Sequence, residues 1–422
     1  MDNIFKKDRI ENYVYVFSFP RLAGTEGEKK AVELTVNTFK KIGFNDSQII
    51  TRNFEFSDFY TTTLVKLIMM LNLIFNLTLI LFAYIHILLT IIIIAFMVIL
   101  VALIFRGLKH PETPGFWGEY FGDTFTATNV FIKLPAKNLP EQKAGNIVIS
   151  AHLDSKSQSF NTFWRILFYR IWLYSGILLG VFYIMYLVIT LSRLEFDFRI
   201  TLYGAWLTII AISVSNLLLM FLDTHNKSPG ALDNASGMAI VFELSNYFLK
   251  NPLENFNLWI CQFSAEELGT MGSRIFVNDY ENEFKKGNIF QINLDMVSCA
   301  GEKNNRIEYF KSYGVLIRKE CAPLLSKYIN IAAEENNIEI RGFHLSPGAH
   351  TDTVPFHLRG FDAIDITTKA SAKYTHSKYD TAEKVDPNVI VDTCKVIYST
   401  IKMIDADYQK LCNNEELVCE IE

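Results

Sequence analysis

The 422 residues could hold two or three ordinary domains, yet half are hydrophobic and 34 are Phe, an apolar load that points to lipid contact. The net charge of −5 supplies no basic stripe, which excludes nucleic acid as a partner. Six cysteines, Cys261, Cys299, Cys321, Cys394, Cys412 and Cys419, make no CxxC pair or disulfide framework, and are expected as free thiols in a reducing compartment.

In chain order, the opening MDNIFKKDRIENYVYVF scatters its charges and has no apolar h-region, so no cleaved signal peptide is expected. Thr25 to Ile42 carries apolar residues at helical spacing. From Leu67 to Phe105 the chain is almost uninterruptedly apolar. A single helix of that length would be about 58 Å long, roughly twice the hydrocarbon core. It is therefore expected to fold back at Tyr84-Ile85-His86, giving spans near residues 64 to 83 and 87 to 105. Asn72 and Asn76, one helical turn apart, are expected to bond between helices. A second pair of spans, Ile171 to Leu191 and Leu202 to Leu222, is joined by the charged turn SRLEFDFR. Each hairpin returns the chain to the side it left. That side carries Lys66, Arg106, Lys109, Arg165, Arg170 and Lys227 near the span ends, against Arg193 and Arg199 opposite, so the positive-inside rule puts the polar part in the cytoplasm.

Removing the hairpins (61–105 and 166–223) leaves 1–60, 106–165 and 224–422 as one discontinuous domain. NVFIKL (129–134), NIVISAHLD (146–154), NLWICQFS (257–264), NIFQINLDM (288–296) and DAIDIT (362–367) read as strands. Ser236 to Leu249, Ser273 to Lys285, Arg318 to Asn336 and Pro387 to Ile404 read as helices. The expected fold is an α/β three-layer sandwich with a mostly parallel, mixed sheet, and the acidic end NNEELVCEIE reads as a tail.

The chemistry-bearing residues fall where these strands stop, the place where ligands gather in open α/β sheets. His152 and Asp154 end NIVISAHLD, Glu266 and Glu267 follow NLWICQFSA, Asp295 ends NIFQINLD, and Asp233 lies in the turn GALDNASG. Carboxylates crowded on one rim repel one another unless a cation neutralises them. Imidazole with carboxylate and no thiolate suits zinc, or less selectively cobalt or manganese. A lone HxD or EE carries little weight; the combination carries the inference.

The ordered motifs RLAGTEGEKKA (21–31), AHLDS (151–155), GALDNASGMA (230–239), SAEELGTMGS (264–273), NLDMV (293–297) and YTHSKYDTAEKVD (374–386) resemble the zinc-dependent aminopeptidase family, metallopeptidase family 28. Its members include bacterial leucyl aminopeptidase, aminopeptidase Y and glutamate carboxypeptidase II. The resemblance implies a zinc-exopeptidase fold, a peptide substrate and two Zn2+ ions. It makes His152 and Asp295 ligands of one ion, Glu267 and His376 ligands of the other, and Asp233 the bridge. Glu266 becomes the general base, and Asp154 orients the His152 ring. His350, in SPGAHTDTVPF, rivals His376, but the closing family pattern favours His376. His350, Asp352 and Tyr374 are then expected around the substrate and Asp380 behind the ligands.

In soluble members a short loop separates the HxD motif from the bridging Asp, whereas here the second hairpin fills it. Ser155 to Phe163 reaches at most about 30 Å, so the catalytic mouth is expected to face the bilayer or a hairpin-formed vestibule, favouring apolar peptides or peptides released from membrane proteins. Alternative readings are a carboxypeptidase, a one-zinc glutaminyl cyclase, or a metal-free membrane receptor or scaffold. Transport through the spans would need an intramembrane ionisable residue, and the spans carry none.

Overall fold

The computed structural model describes residues 4–108, 110–115, 117–192, 199–284, 288–314, 317–345 and 350–412. Lys109, Arg193, residues 346–349 of the His350 loop and the tail NNEELVCEIE with Cys419 lie outside the described residues.

The strands are β1 (Ile49–Ser57), β2 (Thr124–Leu134), β3 (Gly145–His152), β4 (Ser157–Gln158), β5 (Thr224–His225), β6 (Phe256–Phe263), β7 (Ile289–Leu294), β8 (Ile307–Tyr313), β9 (Lys319–Glu320), β10 (Ile340–His344) and β11 (Asp362–Thr367). The helices are α1 (Lys7–Phe17), α2 (Glu26–Ile42), α3 (Thr63–Ile85), α4 (Ile87–Leu108), α5 (Thr162–Ser192), α6 (Arg199–Met220), α7 (Ser236–Phe248), α8 (Met271–Tyr280), α9 (Pro323–Glu335), α10 (Val354–Leu358) and α11 (Pro387–Ala406).

The main sheet runs β1-β2-β6-β3-β7-β11-β8-β10, with β9 on β8. Its centre, β6-β3-β7-β11, is parallel, and β1-β2-β6 on one flank is antiparallel. On the other flank β8 runs antiparallel to β11 and parallel to β10. Every residue of β3, β6 and β7 is buried, because helices cover both faces, and such strands read as continuous apolar runs. In β6, Phe256, Leu258 and Ile260 enter the larger core with residues of α1, α2, α7, α9 and α11. Trp259, Cys261 and Phe263 point the other way, to Phe276 of α8 and Phe356 of α10. This period of two makes three layers from one strand pattern.

Several boundaries differ from the sequence expectation. Helix α9 starts at Pro323, not Arg318, because Lys319–Glu320 pairs with β8 and Pro at the first helical position suits its fixed φ. Helix α8 ends at Tyr280 and passes into a 3-10 turn, Glu281–Glu283. Strands β1, β8 and β10 and helix α1 are additions.

Helices α3 and α4 join at His86, whose extended backbone makes the expected break. The four helices α3 to α6 are long and apolar enough to cross a membrane by length and composition. Helix α5 begins nine residues before Ile171. At 31 residues it is about 46 Å long, beyond a hydrocarbon core of roughly 30 Å, so its first turns can pack on the polar domain. Asn72 Oδ1 accepts hydrogen bonds from Asn76 Nδ2 (2.9 Å), Trp172 Nε1 (3.2 Å) and Asn216 Nδ2 (2.9 Å), joining α3, α5 and α6. Antiparallel ladders close the neck of each hairpin: β1 with β2 below the first and β4 with β5 below the second.

Candidate metal centre

The parallel strands β3, β6 and β7 end side by side, so the residues after them share one rim. His152 closes β3, Asp295 follows β7, and Glu266 and Glu267 follow β6 in a tight turn whose Ala265 has φ of 57°. Asp233 sits in the turn Ala231–Ala235 that feeds α7. The turn can approach because two glycines precede and follow it. A Cβ on Gly230 would fall 2.5 Å from Ser155 Cβ, and one on Gly237 would fall 2.2 Å from the Leu294 carbonyl oxygen. His376 arrives from the loop after β11 with φ of 60°, a backbone state uncommon outside glycine.

Two buried groups result, His152 with Asp233 and Asp295, and Asp233 with Glu267 and His376; in each, the candidate ligand atoms lie within 4.8 Å of one another. His152 Nε2 is 3.1 Å from Asp233 Oδ1 and 3.4 Å from Asp295 Oδ1. His376 Nε2 is 3.2 Å from Asp233 Oδ2 and 3.1 Å from Glu267 Oε2. The two oxygens of Asp233 thus divide between the two groups. Glu267 Oε1 is buried with no hydrogen-bond partner, an uncommon state for a carboxylate oxygen and one a cation would satisfy. The donor set therefore fits metal.

The charges behave accordingly. Burial alone would neutralise His152, but Asp154, Asp233 and Asp295 outweigh it and hold its pKa well above the usual value. Burial raises Glu266 well above the carboxylate range, with Glu267 and Asp295 adding to it. Burial also opposes ionisation of Glu267, yet His376 and Lys156 overcome that and hold it well below. Two adjacent carboxyls are thus pushed in opposite directions, one toward holding a proton and one toward holding a cation.

The supporting contacts refine the expected roles. His152 Nδ1 is 3.1 Å from the Asp154 carbonyl oxygen and 3.5 Å from its Oδ1. The Asp154 carboxylate also accepts the backbone N–H of Glu266 and of Glu267, each at 3.2 Å, so it pins the turn that carries both acids. Asp380 accepts the N–H of Leu232 (2.6 Å) and of Asp233 (3.2 Å) and so lies behind the Asp233 turn. Burial, then Asp233, push it up to about 7.

Three contacts had no motif of their own. Lys156 Nζ lies 2.9 Å from Glu267 Oε2. Gln158 Oε1 is 2.9 Å from His376 Nδ1, holding that ring by its outer nitrogen. Arg21, quoted within RLAGTEGEKKA but given no role, donates to the carbonyls of Phe17, Phe19, Leu153, Pro229 and Gly230.

A cavity of about 270 Å³ opens over the acids. Asp233, Glu266, Glu267, Asp295 and His376 form its floor. Phe163, Arg165, Ile166, Leu167 and Arg170 of α5 form one wall, facing Phe310, Phe343, His350 and Lys369. His350 thus lines the cavity and stays out of both groups. Asp352 and Tyr374 do not line it. Asp352 is fully buried behind the sheet end, where Gln291 Nε2 donates to its carbonyl oxygen, and the Tyr374 hydroxyl turns away to Glu302 at 2.8 Å.

Comparison with known proteins bears on the family and the fold. Residues 216–401 match the profile of Peptidase family M28. Aminopeptidase YwaD of Bacillus subtilis (strain 168) is 30% identical over 173 residues, 39% of this chain and 35% of the relative, so the alignment spans about a third of that protein. Among solved structures, BSAP, a zinc aminopeptidase from Bacillus subtilis, superposes with a TM-score of 0.54 at 13% identity, covering 94% of each chain. An aminopeptidase from Aneurinibacillus sp. strain AM-1 gives 0.54 at 14%, covering 94% of this chain and 93% of that one. A glutaminyl cyclase from an Acidobacteriales bacterium gives 0.52 at 15%, covering 95% of each. The resemblance read from the motifs is borne out, and the sheet with its helices has the zinc-aminopeptidase fold. The matches support a hydrolase.

Proposed function

We propose that the chain is a membrane-anchored zinc exopeptidase that removes N-terminal residues from peptides. The observation that supports it best is the division of Asp233, one oxygen to His152 and the other to His376. A carboxylate so shared suits two Zn2+ ions, with Co2+ or Mn2+ as substitutes. His152 and Asp295 would hold one, Glu267 and His376 the other, and Asp233 both.

When bound, such a pair polarises the scissile carbonyl and makes a water acidic enough to attack at neutral pH. The protein supplies the rest. Glu266 accepts a proton from the attacking water and passes it to the leaving amine, a task that suits its place on the cavity floor beside both groups. Asp154 fixes the turn carrying Glu266 and the orientation of His152, and Gln158 does the same for His376. Helix α5 keeps bulk water from one side of the cleft.

The hairpins anchor this domain with its mouth beside the headgroups. Lys66, Arg106, Arg165, Arg170 and Lys227 flank the spans on the peptidase side, which supports a cytoplasmic peptidase domain. A panel of N-free and N-blocked peptides, assayed with a chelator and after zinc add-back, tests the reading. Cleavage of N-free peptides alone, lost with chelator and restored by zinc, is expected; cleavage of blocked peptides would make the enzyme a carboxypeptidase instead.

A glutaminyl cyclase reading also draws support, because solved cyclases share the fold. One zinc per active chain by mass spectrometry, with ammonia release from N-terminal Gln peptides, would favour it over hydrolysis.

A further inference from the structure

We propose that the root of the second hairpin forms an anion subsite in the peptide cavity, where Arg165, with Arg170 and Lys369 at its margins, takes a substrate carboxylate one or two residues from the scissile bond. This rests on the exopeptidase reading and names the substrate class.

The first observation is Arg165 itself. Its Nη1 donates to Gln158 Oε1 at 3.2 Å, while its Nε is buried with no hydrogen-bond partner. Arg165 also lines the cavity, and a guanidinium offers the planar fork that a carboxylate matches in two places. The second observation is the charge balance of the lining. Among the described residues, the carboxylates facing the cavity are the four of its floor, Asp233, Glu266, Glu267 and Asp295. The walls contribute Lys156, Arg165, Arg170 and Lys369; Lys156 is engaged by Glu267, and Arg170 has a partner of its own. Among the described residues, the charged groups lining the cavity away from its floor are therefore cationic. Burial, then the charges of Lys156 and Arg165, push the neighbouring His350 down to about 3.

Reach sets the register. Arg165 stands two hydrogen bonds from the His376 ring, through Gln158, and an extended peptide advances about 3.3 to 3.6 Å per residue. A peptide amine can then meet the floor carboxylates while its acid meets Arg165. Between them, Phe163, Ile166 and Leu167 with Phe310 and Phe343 give an apolar passage. Either an Asp or Glu side chain or the C-terminus of a very short peptide supplies the same group.

The test uses the full chain with zinc in detergent or nanodiscs. Peptide pairs carrying Glu or Gln at the first, second or third position are compared, each as free acid and as C-terminal amide. The wild type is expected to show kcat/KM at least tenfold higher for the carboxylate member. Loss of that advantage on Glu→Gln assigns a side-chain acid, and loss on amidation assigns the C-terminus. Arg165→Gln should bring the ratio toward one and Arg165→Lys should restore part of it, whereas a purely structural role would lower both members alike. Lys369→Gln, at an exposed position, should reduce the ratio less and guards against a misfolded Arg165 variant. Equal cleavage of all pairs by the wild type, or an unchanged ratio in Arg165→Gln, overturns the subsite. Failure to cleave any peptide with zinc present instead overturns the exopeptidase reading.

Discussion

Arg21 holds together two segments far apart in sequence. Its buried guanidinium reaches the Leu153 carbonyl, between His152 and Asp154, and the Pro229 and Gly230 carbonyls ahead of Asp233. Burial pushes it down to about 10, so it stays charged at neutral pH. Arg21→Met strands these acceptors, and a loss of roughly 3 kcal/mol or more is expected, read as a lower midpoint of unfolding together with weaker zinc binding. Glu28, in the same motif, accepts from the Thr128 N–H (3.0 Å) and Ser264 Oγ (2.9 Å), and burial pushes it up to about 7 from 4.5. The folded chain thus binds its proton more tightly than the unfolded chain. The resulting stability is complete below about 4.5 and is lost as pH rises through about 7. Urea titrations of Glu28→Gln across that window should be flatter than the wild type's; an unchanged slope would assign the dependence elsewhere. At Glu266, replacement by Gln should cut kcat by about 10² to 10⁴ while zinc content, measured by mass spectrometry, stays the same.

Between helices, the single acceptor Asn72 Oδ1 serves three donors in an apolar setting. Asn72→Leu removes it, and a weakening of about 0.6 to 2 kcal/mol between α3, α5 and α6 is expected; retained resistance to denaturing detergent would show that apolar packing alone joins the hairpins. The elements most legible in the sequence were those buried on both faces. DAIDIT became β11 without a change of boundary because apolar pressure on both sides leaves a run that turn residues cut sharply. Strand β10 has no buried residue and β1 keeps Ile50, Thr51, Arg52 and Asn53 exposed, so neither carried the pattern; their partners, not their composition, make them strands. The start of α5 was hidden differently. Two arginines and a tryptophan before Ile171 interrupt the apolar run, yet a helix that rests on a polar domain tolerates them. Gln158 and Lys156 were illegible because a lone Gln or Lys in a turn has no spacing to betray it, whereas the residues of the two metal groups could be gathered by their place at strand ends and by the ordered motifs.

In the whole molecule, α5 belongs to two structures at once, forming a wall of the cavity while packing on α6 and hydrogen-bonding to α3 through Trp172 and Tyr186. Replacing residues 162–222 with a short loop that keeps β4 and β5 should leave zinc binding intact and erase selectivity between apolar, lipid-associated peptides and soluble ones. Unchanged preference in that variant would reduce the hairpin to a tether. The neck ladders carry a further consequence for how the protein comes into being. Strand β1 leaves the ribosome before the first hairpin and its partner β2 after it; β4 and His152 precede the second hairpin, while β5 and Asp233 follow it. Neither the sheet nor the two groups of candidate ligands can close until the segments after both hairpins have been made, so each ladder is completed only once the chain has returned from its hairpin. On the membrane-anchored reading proposed above, the two halves of the site would meet only after the chain has passed through the hairpins, and a chain cut within the second hairpin would hold His152 without Asp233.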